Sequence, residues 1–163
     1  MDSEAEPPIR PTVRVLILDE IDRVLLFRGQ DPLTPEIRFW FPAGGGIELG
    51  ETAEVAAHRE VWEETGLASF DLGPHIWNRR HVFSFYGSTQ DVRETWFFAR
   101  LPSFEIDTSR FTEVEQEVIK ENRWWTQHEL KTTTDVLTPR DLANLVQNLL
   151  INGLPQTPIT VPI

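Results

Sequence analysis

Apolar and polar positions form a strand-like pattern in two neighbouring segments near the amino terminus. VRVLILDE (13–20) and RVLLFRG (23–29) are rich in β-branched and aliphatic residues, and the polar step Glu20-Ile21-Asp22 separates them. This pattern predicts a β-hairpin. A polar loop with two prolines follows, and RFWFP (38–42) then predicts a short aromatic strand that ends at Pro42.

The pattern then changes to a helical one. The glycines 44–46 and Gly50 predict a flexible turn. Between Thr52 and Thr65 the sequence has neither glycine nor proline, and its alanines and glutamates favour a helix. Gly66 stands where a glycine that ends a helix is expected.

The second half repeats the order of strands followed by helices. We expect two long strands joined by a turn at 87–90, a helix, a short strand and a final helix with Thr138 as its N-cap; the segments are 75–87, 92–101, 113–121, 122–126 and 138–153. Strands and helices in this order predict an α/β or α+β domain, with a mixed β-sheet sandwiched between α-helices. The order of the strands stays open.

The chain length suits one domain. We expect a disordered leader over 1–11, because it is acidic and proline-rich, a folded domain over 12–152, and an extended tail over 153–163. The tail has two placements open to it: across a partner subunit in a homodimer, or on the body of its own domain.

Composition narrows the classes of function. The chain has no cysteine, which excludes disulfides, zinc–thiolate sites and a cysteine nucleophile. A formal net charge of −11 argues against a partner such as DNA or RNA, whose phosphates require a basic face. No apolar run approaches the length of a membrane span, and no secretory signal is recognised, so a cytoplasmic protein that does not bind membranes is expected.

Three glutamates on the predicted helix share one face. Glu60, Glu63 and Glu64 have i, i+3 and i+4 spacing, and their like charges repel each other unless a cation neutralises them. Carboxylate oxygens are the ligands of hard divalent cations, and Arg59 is one turn from Glu63 and can brace it. The alternative is an ordinary solvated helix face.

The whole segment resembles the Nudix box, G-x5-E-x7-R-E-U-x-E-E-x-G-U, in which U is a bulky aliphatic residue. Every fixed position is present, from Gly45 and Glu51 through Arg59-Glu60-Val61-Trp62-Glu63-Glu64 to Gly66-Leu67. The resemblance implies a Nudix fold over about 12–152. It also implies a hydrolase that cleaves a diphosphate bond in a nucleoside di- or triphosphate, or in a nucleoside diphosphate linked to another moiety, with Mg²⁺ or Mn²⁺.

The resemblance also assigns roles inside the box. It implies metal binding by the side chains of Glu60, Glu63 and Glu64 and by the carbonyl of Gly44. It implies that Glu51 and Arg59 orient the loop and the ligating glutamates, with Glu63 and Glu64 at the centre of catalysis. The competing interpretation is a Nudix domain that binds a nucleotide as a sensor without cleaving it; the intact box favours the enzyme.

Residues outside the box are assigned more loosely. The resemblance implies a further carboxylate outside the box that serves as a metal ligand or a general base. The candidates are Glu113, Glu115, Glu117 and Glu121. We favour Glu117 and Glu121, because they would share one face of the predicted helix 113–121; a solvated helix face is the alternative.

Substrate-binding candidates come from the strands. Arg79 and His81 lie on one predicted strand face, where either could reach a substrate phosphate; the alternative is a packing face whose Arg79 pairs with a box glutamate. Trp40 and Trp124 could stack on a base or could belong to the core. The partner implied is a small phosphorylated molecule, a nucleotide, and a nucleoside triphosphate or nucleotide-sugar pyrophosphatase is the expected activity.

Overall fold

A computed structural model of the protein describes residues 5–163. Within them the chain forms nine strands, β1 to β9, and four helices, α1 to α4. In chain order they are β1 Ile9–Leu18, β2 Val24–Gly29, β3 Phe39–Phe41, β4 Ala43–Gly46, α1 Ala53–Thr65, β5 His75–Phe85, β6 Ser88–Arg100, α2 Glu113–Val118, β7 Ile119–Trp125, α3 Gln127–Thr132, β8 Val136–Leu137, α4 Leu142–Asn152 and β9 Ile159–Thr160.

The strands form one mixed, branched sheet. Its main path runs β8-β3-β2-β1-β6-β5-β9, while β4 pairs with β1 and β7 pairs with β2. The predicted hairpin of β1 and β2 is antiparallel, and so is the pair of β5 and β6. In contrast, β1 and β6 run parallel over the whole of β1. The fold is therefore the expected α+β arrangement with a mixed sheet.

Apolar side chains leave the sheet alternately toward its two faces and form two cores. On one face, Leu16 and Trp96 are fully buried with residues of α3 and α4. On the other face, Val15 and Phe97 pack with the buried Ala57 and Val61 of α1. Burying each large side chain contributes about 1.5–3 kcal/mol to the stability of the fold. Both cores therefore stabilise the sheet, and the second one fixes α1 against it.

Helix α1 has the bounds that its capping residues predict. The Thr52 hydroxyl accepts a hydrogen bond from the Val55 amide at 3.2 Å. Gly66 adopts a left-handed conformation with φ of 79°, and its N–H donates to the carbonyl of Trp62. Both ends of the helix are thus fixed by local signals.

The glycines 44–46 form strand β4, and the prediction of a flexible turn there is wrong. Gly44, Gly45 and Gly46 pair with Arg14, Val13 and Thr12 of β1. The backbone hydrogen bonds to β1 hold these residues extended, although glycine alone favours no strand. The lack of side chains has a different use, since it leaves space on both sides of β4 for the groups described below.

Two predicted helix boundaries are also wrong. The helix expected over 113–121 ends at Val118, because the next seven residues form β7 and pair with β2. The last helix begins at Leu142 with Asp141 in the cap position. Thr138 is not its N-cap, because the Thr138 amide donates to the carbonyl of Trp40 and continues the sheet pairing of β8.

Helix α3 was missed by the pattern of apolar positions. Its signal is the capping box Thr126-x-x-Glu129, in which each residue's side chain accepts a hydrogen bond from the other's amide.

The amino-terminal segment differs from its expectation, while the tail adopts one of its two expected placements. Residues 1–4 of the predicted leader lie outside the described residues, and β1 begins at Ile9, inside the range expected to be disordered. The tail lies on its own domain, where β9 pairs in parallel with β5 and Val161 is buried. Over residues 5–163, none of the helices combines the length and the apolarity needed to cross a bilayer.

Candidate functional site

Arg59, in the middle of α1, is the centre of a network of ion pairs that joins the helix to the loop before it. Its Nε and Nη2 donate to the two carboxylate oxygens of Glu51 at 2.8 and 2.9 Å, a bidentate pair. Nη2 also donates to the carbonyl of Gly46 at 2.9 Å. The guanidinium lowers the pKa of Glu51 to about 2, so Glu51 stays charged at neutral pH. This pair fixes the loop before α1 to the helix.

The same guanidinium reaches two glutamates of the predicted acidic face. Arg59 Nη1 donates to Oε1 of Glu60 at 2.9 Å and to Oε2 of Glu63 at 3.3 Å. Glu63 is half-buried and forms an ion pair with Arg59. The bracing of the glutamates by Arg59, expected from the sequence, is present.

Three carboxylates come together beside this network. Oxygens of Glu60, Glu64 and Glu115 all lie within 4.8 Å of one another. Glu60 is 8% exposed and Glu64 only 1% exposed. Burial raises the pKa of Glu60, although Arg59 opposes the rise, and burial together with the charge of Glu60 raises the pKa of Glu64 well above its ordinary value. Such a cluster is electrostatically unfavourable without a cation.

The glycines of β4 permit this approach of the carboxylates. The Gly44 amide donates to Oε1 of Glu64 at 2.8 Å. A Cβ added at Gly45 would lie 2.5 Å from Oε1 of Glu60, so any side chain there would displace that carboxylate. Here the absence of a side chain is what the site requires.

Glu115 reaches the cluster because its segment is fastened to the end of α1. The Asp107 amide donates to the carbonyl of Thr65 at 3.0 Å. The Arg110 guanidinium lies 4.8 Å from the ring centre of Trp62, a cation–π contact. One oxygen of Glu115 accepts from the Thr112 amide at 3.1 Å and completes the cap of α2. The capping box Thr112-x-x-Glu115 is the local signal in the sequence that marks this residue.

Glu117 and Glu121, the pair favoured from the sequence, do not share a helix face. Glu121 lies on β7, where it pairs with Arg28 at 3.1 Å. Glu117 accepts a hydrogen bond from the Tyr86 hydroxyl at 2.6 Å. The premise for that pair is wrong because α2 ends at Val118, and Glu115 is the outside carboxylate that meets the box glutamates.

Arg79 lies in a buried ionic cluster on the sheet. Its Nη1 donates to Oε1 of Glu94 at 2.8 Å, and both residues are at most 4% exposed. The expected alternative of a pair with a box glutamate is wrong, because Glu94 is the cross-strand neighbour of Arg79 in the register of β5 and β6.

His81 lies at the border of this cluster. Its ring stacks on Phe83 at 4.5 Å between centres, and its Nε2 lies 4.0 Å from Oε2 of Glu94. Burial and the positive charge of Arg79 lower the pKa of His81 to about 4; Glu94 opposes this shift and Arg14 adds to it. The imidazole is therefore neutral at physiological pH.

The lowered pKa of His81 predicts a loss of stability in mild acid. In the unfolded chain His81 has a pKa of about 6.5 and becomes protonated as the pH drops from 7 to 5, whereas in the folded protein it stays neutral. The free energy of unfolding should therefore fall by about 1–2 kcal/mol over this range. We expect His81→Gln to remove this part of the pH dependence in urea unfolding, and the same substitution at the exposed His128 is the control. Identical pH profiles for the wild type and His81→Gln would contradict the assignment.

The two tryptophans lie in different surroundings. Trp40 is 2% exposed, its Nε1 donates to Asp135 at 2.9 Å, and its ring meets Trp125 edge-on. The core alternative therefore holds for Trp40, which has no ring face open to a base. Trp124 is half-buried and packs edge-on against Phe104, and its role in stacking stays a prediction.

Comparison with known proteins points to one family. A family model described as "NUDIX domain" matches residues 8–146. An RNA pyrophosphohydrolase of Caulobacter vibrioides is 30% identical over 148 residues, which cover 82% of this chain and 79% of that protein. Nudix hydrolase 19, chloroplastic, of Arabidopsis thaliana is 32% identical over 127 residues; these cover 77% of this chain but only 26% of the plant protein.

Solved structures share the fold at low sequence identity. The MutT protein from Methanosarcina mazei superimposes with a TM-score of 0.69 at 20% identity, covering 91% of this chain and 99% of that one. The dihydroneopterin triphosphate pyrophosphohydrolase of E. coli gives a TM-score of 0.62 at 23% identity, covering 89% and 99%.

Proposed function

This chain belongs to the Nudix hydrolase family, and from that premise we propose that it hydrolyses a diphosphate bond in a nucleotide substrate with the help of a divalent cation. The observation that carries the proposal is the meeting of Glu60, Glu64 and Glu115 within 4.8 Å beside the Arg59 network. The relatives named RNA pyrophosphohydrolase support the proposal that the bond cleaved is a diphosphate bond.

The carboxylate cluster fits a hard cation such as Mg²⁺ or Mn²⁺. Its donors are oxygens of Glu60, Glu64 and Glu115, and two of these side chains are buried with raised pKa values, so a cation would relieve their repulsion. The carbonyl of Gly44 is proposed as a further donor. A bound cation would neutralise charge on the phosphoryl oxygens and lower the pKa of the attacking water.

The remaining residues of the box hold this arrangement in place. Arg59 binds Glu51 by two hydrogen bonds and Glu60 by one, so it sets the positions of the loop and of one carboxylate together. Glu63, which lies on Arg59, is proposed to exchange this contact for the cation or for the attacking water. These groups sit on a helix capped at both ends, which keeps them preorganised.

A comparison of three glutamates tests the carboxylate outside the box. Glu115→Gln should lower kcat by about 100-fold, because it removes one charge from the cation site. Glu117→Gln and Glu121→Gln should stay near wild type, since their partners are Tyr86 and Arg28. Steady-state assays at saturating Mg²⁺ check this. An inactive Glu121→Gln beside an active Glu115→Gln would return the role to the pair favoured from the sequence.

The activity is tested by a phosphate-release screen with Mg²⁺ and Mn²⁺ and an EDTA control. The substrates should include nucleoside di- and triphosphates and nucleotide sugars. We expect turnover that EDTA abolishes. Tight nucleotide binding without turnover would support the alternative, a sensor domain.

RNA belongs in the same screen. The relatives named RNA pyrophosphohydrolase favour it, whereas the net charge of −11 argues against a long polyanion. A triphosphorylated oligonucleotide assayed at low and high salt separates these arguments. Turnover of the mononucleotides but not of the oligonucleotide would support the small-molecule assignment.

A further inference from the structure

The buried cluster around Glu94 contains more positive than negative charge. Glu94 accepts hydrogen bonds from Arg79 Nη1 at 2.8 Å and from Arg14 Nε at 3.3 Å. Its side chain is 1% exposed, and those of Arg79 and Arg14 are 3% and 19% exposed. With His81 neutral, two guanidinium groups share one carboxylate. The cluster therefore carries one more positive charge than Glu94 neutralises, and a bound anion would pair with it.

Two guanidinium nitrogens of this cluster donate no hydrogen bond to the described part of the chain. Arg79 Nε is buried and finds no hydrogen-bond partner in the described part of the chain. Arg14 uses Nε for Glu94 and Nη1 for the carbonyl of Pro42 at 3.2 Å, which leaves Nη2 without a partner among residues 5–163. The guanidinium of Arg14 also lies 5.4 Å from the ring centre of Phe41. Three contacts thus fix Arg14, while one edge of its planar donor group stays available.

Arg14 lies next to the carboxylate cluster of the box. It stands opposite Gly44 in the pairing of β1 with β4, and the Gly44 amide binds Glu64. A Cβ added at Gly44 would lie 2.9 Å from Cδ of Arg14, so the missing side chain lets the stem of Arg14 cross over β4. Gly44 therefore links the two sites, since it pairs with Arg14 and binds Glu64.

We propose that Arg14, held in position by Glu94, binds one substrate phosphate directly, next to the phosphate that would lie at the cation held by Glu60, Glu64 and Glu115. The inference deepens the proposed function and rests on it. A diphosphate joins two phosphoryl groups through one oxygen. A site with an acidic half that holds a cation and a basic half that binds the second phosphate directly would match both groups. Arg14 supplies the basic half in a chain whose overall charge is negative.

Kinetic comparison of Arg14→Gln with Arg93→Gln tests this role. Arg93 lies on β6 beside Glu94, but its side chain is half-exposed and pairs with Asp91, so Arg93→Gln is the matched control. We expect Arg14→Gln to raise KM, or to lower kcat/KM, by about tenfold to 100-fold. Arg14→Lys should recover only part of this, because lysine lacks the planar donor group. Wild-type KM and kcat in Arg14→Gln would overturn the proposal.

Two readouts separate failure of this proposal from failure of the proposed function. Calorimetric binding of pyrophosphate with Mg²⁺ needs no turnover, and it should be weakened by about tenfold or more in Arg14→Gln and unchanged in Arg93→Gln. In the wild-type protein, pyrophosphate should slow the modification of Arg14 by phenylglyoxal and leave that of Arg93 unchanged; this holds even if Arg14→Gln folds poorly. If Arg14→Gln loses pyrophosphate binding but the wild-type protein hydrolyses no substrate, the Arg14 site stands and the proposed hydrolysis is refuted. If the wild-type protein hydrolyses substrate but pyrophosphate does not protect Arg14, hydrolysis stands and the Arg14 site is refuted.

Discussion

Replacing Glu64 by glutamine should lower kcat by about 1,000-fold without destabilising the fold. Glutamine keeps an oxygen that can accept the hydrogen bond of the Gly44 amide, now 2.8 Å long. It removes a charge that is 1% exposed and adjacent to Glu60, so the free energy of unfolding measured in EDTA should stay level or rise. Loss of activity together with unchanged or higher stability is the signature of a functional charge.

The control for this variant lies on the same helix. Glu54→Gln removes the same charge from an exposed position in the first turn of α1 and should leave kcat unchanged. Glu63→Gln reports separately on the carboxylate that Arg59 holds. Wild-type Mg²⁺-dependent turnover in Glu64→Gln would refute the assignment of the site.

Gly44→Ala should destabilise the protein by about 3 kcal/mol or more and abolish turnover. Gly44 has φ of 151°, and an added Cβ would collide with the carbonyl oxygen of Val13 and lie 2.9 Å from Cα of Arg14. These are backbone atoms of a central strand, so β1 or β4 must move. The midpoint of urea unfolding measures the loss.

Gly50→Ala separates backbone conformation from steric collision. Gly50 has φ of 81°, but an added Cβ would meet nothing within 4 Å. It should therefore cost only the strain of a left-handed alanine, about 1–2 kcal/mol. Equal losses at the two glycines would show that the close contact with β1 is not the cause.

The box helix could be predicted because its signals are local. Thr52, Gly66 and the helix-favouring residues between them all lie within one short segment, and the structure begins and ends the helix at these two residues. The pairing of Arg59 with Glu63 follows from helix geometry alone.

The features that the sequence did not reveal depend on distant partners. Gly44–46 form a strand only because β1 pairs with them, and glycine has no preference that would announce it. The helix expected to run to Glu121 stops where β2 offers a strand partner, so Glu115, and not Glu117 or Glu121, lies beside the box glutamates. The Arg79–Glu94 pair required the register of β5 and β6, which no single-strand pattern specifies.

The parallel pairing of β1 with β6 determines when the proposed site can form during synthesis. Arg14 and Glu94 are 80 positions apart, and they meet only after the intervening chain has closed into a loop. Closure of so long a loop is entropically costly and makes folding slow compared with helix formation. A nascent chain that has emerged from the ribosome only as far as Leu67 carries Arg14, Glu60 and Glu64 but neither Glu94 nor Glu115, so neither half of the proposed site can be complete until the second half of the chain has emerged.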